Sequence, residues 1–263
     1  LAGVLATYPQ AEVVKYSPQK RCIVRVVREG RTCYAKVYPS NFIKRGRGEG
    51  INEAGKAFWS LTEAGLLNFR VPRPLGWNSV SQTIWNEELP GIAAVEKLKS
   101  QEGENIAFKI GKAVALIALS GIAPKRIFDY AEQLADADEF ADITTQRFPE
   151  LTTVVKSVRI SLDRADRPTQ KLAPIHGDMH IDQWLANEND LGLLDFEDFA
   201  LGHPERDLGF FMVQLEAVHG CELDHKSLNA QVLRGYRSAG LRPNERLTRI
   251  YSAHKWFSKA SKA

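Results

Sequence analysis

The chain has 263 residues, 44% of them hydrophobic and 25% charged, with a net charge of +3; that is more chain than one core usually takes, in an ordinary globular balance. Its basic residues are scattered, which argues against nucleic acid as the main partner. No apolar run approaches the roughly 20 residues that a bilayer-spanning helix needs, which argues against a membrane protein.

From the N-terminus, two β-branched runs, Arg21 to Arg28 and Thr32 to Tyr38, flank Glu29-Gly30 and predict a hairpin. Pairing Arg28 with Arg31 puts Cys22, Val24, Val26, Cys33, Ala35 and Val37 on one apolar face and turns Lys36 to the other, with Ile23 and Arg25. On that register Cys33 faces Val26 and Cys22 faces Val37, too far out of step for a disulfide. With Cys221 they make three free, buried thiols, which suits a reducing compartment. Ile51, Ala54, Phe58, Leu61 and Ala64 recur at helical spacing, so residues 49–64 form an amphipathic helix with Glu49 and Glu53 on its flank. An extended strand from Gln82 ends at Pro90-Gly91, which makes Glu87-Glu88-Leu89 the junction between two parts of the chain, 1–89 and 90–263.

Beyond the junction, Ile106, Ile110, Ala113, Val114 and Ile117 mark one helix, and Leu208, Phe211, Leu215 and Val218 another. Between them, Glu132 to Asp142 carries Asp136, Asp138, Glu139 and Asp142. Such a cluster suits a cationic substrate, but a solvated helix face is its commoner origin and the one expected here. His176 and His180 have the spacing of a helical zinc pair, yet Gly177 breaks the helix and no third ligand follows. Trp184-Leu185-Ala186 and Leu191-Gly192-Leu193-Leu194 flank Asn187-Glu188-Asn189-Asp190 and predict a second hairpin. If Ala186 pairs with Leu191, Gln183 lies opposite Leu194 and Asp195 opposite Asp182. Gln183 and Asp195 then sit side by side at the open end, with Asp178 in the loop just before. An amide oxygen beside a carboxylate suits magnesium, which takes oxygen ligands and leaves positions to phosphate and water. A separate carboxylate suits a base for a hydroxyl proton. Lys255 to Lys262 reads as a solvated, fraying basic tail.

The run His176-Gly177-Asp178-Met179-His180-Ile181-Asp182-Gln183, followed by Leu194-Asp195-Phe196-Glu197, resembles the H-G-D-x-H-x-x-N and D-F-x signature of the aminoglycoside phosphotransferase and choline kinase superfamily. Tyr34-Ala35-Lys36-Val37-Tyr38 resembles its nucleotide-lysine strand, Val71-Pro72-Arg73-Pro74 the bend before the lobe junction, and Gly202-His203-Pro204-Glu205-Arg206-Asp207-Leu208 its G-x-P-x-x-D-L block. Tyr16-Ser17-Pro18-Gln19-Lys20-Arg21-Cys22 is similar to the Y-K-P-G-x-R-C stretch of the maltokinase-like branch, with Gln19 where that stretch has glycine. Gln183, where most members carry Asn, leans the same way.

The resemblance implies an α+β, two-lobed protein-kinase-like fold: a small antiparallel β-sheet N-terminal lobe over 1–89 and a mainly helical C-terminal lobe over 90–263. It implies Asp178 as catalytic base, and Gln183 and Asp195 as ligands of Mg2+. Lys36 is either a solvated strand charge or, as the family pattern favours, a point charge on the nucleotide phosphates. Glu53, chosen over Glu49 by its distance from the Leu61 turn, would pair with Lys36. The backbone of Glu87, Glu88 and Leu89 would meet the adenine edge by position alone. The Tyr16 to Lys20 turn, with Ser17, would cover the phosphates in place of a glycine-rich loop. His176 and His180 would support the catalytic loop, and Asp207 would brace it. ATP and Mg2+ are the implied cofactors, with GTP also compatible.

The expected activity is transfer of a γ-phosphate to a hydroxyl of a small molecule, such as a sugar, aminoglycoside or aminocyclitol. ATP chemistry and free thiols together point to the cytoplasm. The alternative is a nucleotide-binding pseudokinase with a regulatory role, favoured by Gln183 and the missing glycines and disfavoured because Lys36, Asp178 and Asp195 are all present. A metal-dependent hydrolase lacks a second-metal ligand set. A protein-serine kinase lacks an activation segment between Asp195 and Gly202. No motif specifies the acceptor or the oligomeric state.

Overall fold

The computed structural model of the chain describes residues 1–39, 47–128, 130–165, 171–188, 190–218 and 224–262; Asn189 and Cys221 of the sequence reading lie outside them. In chain order the first elements are α1 (Ala2–Thr7), β1 (Glu12–Ser17), β2 (Arg21–Arg28), β3 (Arg31–Val37), α2 (Arg47–Glu63), β4 (Pro74–Asn78), β5 (Thr83–Glu87) and β6 (Ile92–Ala93). Next come α3 (Ala94–Leu98), α4 (Gly103–Ala118), α5 (Tyr130–Arg147), α6 (Thr152–Asp163) and β7 (Ala173–Ile175). The chain continues through β8 (Trp184–Ala186), β9 (Leu191–Leu193), β10 (Ala200–Gly202), α7 (Pro204–Glu216), α8 (His225–Ser238) and α9 (Glu245–Ala260).

By compactness the chain divides into two units. One takes Leu1–Ala93 with Gln183–Glu197; the other takes Ala94–Asp182 with Asp198–Ala263. The division differs from a single cut at residue 89/90, because the later hairpin joins the first unit.

The first unit is built on an antiparallel sheet with strand order β1-β2-β3-β5-β4. The β2–β3 register is the one read from the sequence: Arg28 opposite Arg31, Val26 opposite Cys33, Cys22 opposite Val37. The apolar face is buried in full, with Val4 of α1 added to it, and each large aliphatic side chain so buried contributes roughly 1.5–3 kcal/mol. Both described cysteines, Cys22 and Cys33, are free and buried. Lys36 points to the other face, opposite Ile23 and Ile84. Strand β1 is not anticipated by the sequence reading. It is an edge strand, and its consecutive Val13 and Val14 both stay exposed, so no alternation marks it.

The turn joining β1 to β2 has Pro18 at its second position and Gln19 at φ 59°, with the Lys20 amide donating to the Ser17 carbonyl at 3.0 Å. That is the pattern of a type II turn, whose third residue is normally glycine. Gln19 therefore holds the left-handed backbone at the site of the missing glycine.

Hairpin β8–β9 pairs Ala186 with Leu191, as read from the sequence, and β6 adds to its other edge. Arg70 bridges to Gly192, and Phe69 meets Trp184 edge-on at 6.0 Å. Apolar packing thus ties these late residues to early ones.

The second unit is helical apart from the β7–β10 ladder. Helix α4 buries Ile106, Ile110, Ala113, Val114 and Ile117, and crosses α8 so closely that a Cβ on Gly111 would overlap the Val232 carbonyl. Helix α7 stops at Glu216, short of Val218 in the periodic series. The basic tail is a correction: Lys255 to Ala260 lies on α9, capped by the Asn244 side chain, which accepts from the Leu247 amide. Leu247, Tyr251, His254 and Phe257 share one buried face of that helix, and the lysines between them mask the pattern. On α5, Glu139 and Asp142 are solvated and Asp138 pairs with Arg159, whereas Asp136 is half-buried. Among the described residues no helix is long and apolar enough to cross a membrane.

Candidate active site

In the first unit the Asp195-Phe196-Glu197 segment follows β9. Asp195 adopts φ 66°, a left-handed geometry that Asp tolerates better than most residues. Phe196 stacks on Phe58 of α2, with ring centroids 4.5 Å apart, which anchors the segment. The two flanking carboxylates then converge on Lys36: its Nζ lies 2.9 Å from Asp195 Oδ1 and 3.0 Å from Glu197 Oε1. Arg21 Nη1 donates to Glu197 Oε2 at 2.7 Å, and its Nη2 lies 3.5 Å from Asp195. The Tyr38 hydroxyl also donates to Glu197, at 2.7 Å. Burial and the adjacent Glu197 raise the phenol pKa well above its usual range, so Tyr38 stays a donor. Burial opposes the charge on Arg21, but Glu197 and Asp195 outweigh it and raise its pKa.

This arrangement corrects the expected Lys36–Glu53 pair. The carboxylates on Lys36 come from residues 195 and 197, and Glu53 is exposed on α2. The helix offers Phe58 to the segment instead. In the sequence Glu197 is only the variable third position after Asp-Phe. The available signal was its place two residues from Asp195, on the same buried run.

Gln183 stands where the hairpin register put it, with the Leu194 amide donating to its backbone carbonyl at 2.9 Å. The Gln183 amide and the Asp195 carboxylate are both oxygen donors. No group of three or more His, Cys, Asp or Glu residues forms a cage among the described residues. That donor set fits magnesium, which completes its shell with phosphate and water. At the expected adenine edge, the Glu87 amide donates to the Arg73 carbonyl and the Glu88 amide to that of Thr32. An outside partner there must use carbonyls or the Leu89 amide.

In the second unit, the loop carrying Asp178 is held from two sides by α7. Asp207 accepts from the His176 amide at 2.6 Å and the Gly177 amide at 3.0 Å. Arg206 donates to the Gly177 carbonyl and, at 3.3 Å, to Gln133, while its guanidinium sits over the rings of Phe128 and Phe210 at 4.0 and 4.3 Å. Gly177 has φ +88°, and a Cβ there would overlap the Asp198 carbonyl, so only glycine fits. Burial raises the Asp207 pKa, while His176, Arg206 and the two amides pull it back.

Asp178 lines a pocket of about 230 Å³ within this unit, together with Asp136, Arg126, Asp198, Phe210 and Lys255 among others. Arg126 pairs with Asp198 at 2.7 Å. Lys255 lies over the Phe210 ring at 4.7 Å. Burial lowers its pKa to about 8, with the Asp178 charge opposing the shift. Burial raises the pKa of Asp136 and lowers that of His254 to about 3. His180 Nδ1 accepts from the Asp182 amide at 3.2 Å, and burial lowers the pKa of the ring. In the sequence Asp136 and Lys255 look like solvated charges. They are far from Asp178 along the chain, and only helix packing brings them to one pocket.

The phosphotransferase enzyme family, APH, matches residues 51–247. No curated protein matches the chain. Among solved structures, the macrolide 2'-phosphotransferase MphH from Brachybacterium faecium, as apoenzyme, aligns with a TM-score of 0.65 and 18% identity, covering 99% of this chain and 90% of that one. A choline/ethanolamine kinase family protein from Mesorhizobium loti gives 0.61 and 17%, over 98% and 79%. The streptomycin-ATP-APH(2")-IIa ternary complex gives 0.63 and 13%, over 90% and 81%. The family model bears out the superfamily read from the sequence, and the structural likenesses bear out the α+β kinase-like fold; none of them singles out the maltokinase-like branch.

Proposed function

The chain belongs to the phosphotransferase enzyme family, and from that premise we propose that it transfers the γ-phosphate of ATP to a hydroxyl of a small molecule. The observation that carries this is Asp178: a half-buried carboxylate on a loop braced by Asp207 and Arg206, lining a pocket of small-molecule size. Asp178 takes the proton of the acceptor hydroxyl as its oxygen attacks. Lys36 neutralises charge on the nucleotide phosphates, as phosphoryl transfer requires. Gln183 and Asp195 hold Mg2+, which supplies positive charge to the same oxygens. The Glu87 to Leu89 edge takes the base.

Support for ATP comes from the family and from a neighbour solved with ATP and streptomycin. The neighbours' names span a macrolide, choline or ethanolamine, and streptomycin. One scaffold therefore serves different acceptors, and the pocket decides among them. Free Cys22 and Cys33 support action in the cytoplasm. The test is ADP release with magnesium and ATP or GTP, screened over sugars, aminocyclitols, aminoglycosides and choline-like alcohols, beside Asp178→Asn. Acceptor-dependent turnover that vanishes in the variant supports the proposal. Turnover indifferent to Asp178, or nucleotide binding without turnover on any acceptor, overturns it.

A further inference from the structure

Lys255 is a cation that the phosphotransferase reading leaves without a task. The other two cations of the pocket are committed. Arg126 is held by Asp198 at 2.7 Å, and Arg206 by the Gly177 carbonyl, Gln133 and two aromatic rings. Lys255 has no carboxylate at ion-pair distance among the described residues; its near contact is the Phe210 ring at 4.7 Å. The charges that bear on it most are that of Asp178 and then three of its own sign, Lys262, Arg206 and Lys259. Lys255 is half-buried, and a partly desolvated cation without an ion partner gains when an anion joins it. Asp136, also without an ion pair, makes no matching demand for a cation, because a carboxylate accepts well from neutral hydroxyls.

Size adds a second limit. At about 230 Å³ the pocket is smaller than the roughly 300–1,000 Å³ that takes drug-sized ligands, multi-ring antibiotics among them. We propose that the acceptor is a small hydroxyl compound, of monosaccharide size or less, carrying a carboxylate or phosphate that Lys255 receives while its hydroxyl meets Asp178. The proposal rests on the phosphotransferase reading and names its substrate class. Lys255 then selects the acceptor, and polycationic acceptors are disfavoured.

The experiment uses four matched probes: glucose, gluconate, glucose 6-phosphate and glucosamine. Their binding to the full chain is measured by calorimetry, for wild type, Lys255→Gln and Lys255→Arg, and ADP release is followed in parallel. At least one anionic probe is expected to bind tenfold or more tighter than glucose, with glucosamine weakest. Lys255→Gln brings that probe to the level of glucose, and Lys255→Arg keeps the preference, which separates lost charge from lost folding. Whether gluconate or glucose 6-phosphate gains decides between carboxylate and phosphate. For turnover, Lys255→Gln is expected to raise KM for the anionic acceptor and leave kcat near its starting value.

The proposal is overturned if glucose or glucosamine binds as tightly as the anions, if all four bind equally weakly, or if the preference survives Lys255→Gln. A fall in kcat shared by every acceptor overturns it too, by assigning Lys255 to the transferred phosphoryl group. Anion preference without turnover would sink the phosphotransferase reading and spare the anion site. Asp178-dependent turnover without anion preference would do the reverse.

Discussion

The two charged clusters differ in how their charges are held. In the first unit Lys36, Arg21, Asp195, Glu197 and Tyr38 satisfy one another at 2.7–3.5 Å. In the second, Asp178, Asp136 and Lys255 line a pocket without ion-pairing to any described residue. A closed network positions its members and stabilises the fold around them. An open set stabilises little by itself and has free valence for a ligand. The contrast predicts that charge removal costs stability in one place and activity in the other.

The largest effect tests the open set. Asp178→Asn should lower turnover by about 10²–10⁴, measured by ADP release, with stability within about 0.5 kcal/mol of wild type. A matching loss of stability would show that Asp178 is structural and erase the contrast. Glu197→Ala should do the opposite. It strips an acceptor from Tyr38, Arg21 and Lys36 and should cost about 1–3 kcal/mol in urea denaturation. An unchanged midpoint would mean that Asp195 alone holds the network.

The third effect is a pH dependence in the pocket. His254 has its pKa lowered from 6.5 to about 3 by burial. Between those values the unfolded chain binds a proton that the native protein refuses, so stability falls as pH falls through that window. From about pH 6.5 to pH 5.5 the loss should be about 1 kcal/mol, and a His254→Gln variant should show a flatter profile in denaturant titrations. Equal slopes would assign the acid sensitivity elsewhere.

The smallest effect concerns the turn beside Arg21. Gln19→Gly should relieve a left-handed residue costing about 1–2 kcal/mol against an entropic penalty of about 0.5–1 kcal/mol. The net gain should be about 0–1.5 kcal/mol in thermal or urea unfolding. A loss would show that the Gln19 side chain contributes to the turn.

What the sequence disclosed follows from distance along the chain. Both hairpin registers, 21–28 with 31–37 and 184–186 with 191–193, were legible because short turns and alternating side chains fix them locally. The backbone pairing of Gln183 with Leu194 was legible for the same reason. The partner of Lys36 was not, because choosing Glu197 over Glu53 depends on where a distant segment packs. Asp136 and Lys255 were hidden because a charged residue on a helix looks the same in sequence whether it faces water or a pocket. Strand β1 was hidden because an exposed edge needs no apolar alternation.

The hairpin that carries Gln183 and leads into Asp195 completes a sheet begun at β6 and buttresses Phe69 and Arg70. During synthesis the first 93 residues therefore leave the ribosome with part of their unit still to be made, and wait until Glu197 has followed. Closing so long an intervening stretch is slow, and the unfinished edge is exposed meanwhile. This first unit is thus not a detachable module: a fragment ending at Ala93 would lack both a supporting hairpin and Asp195, and the order of translation leaves it unable to finish before much of the other unit has been made.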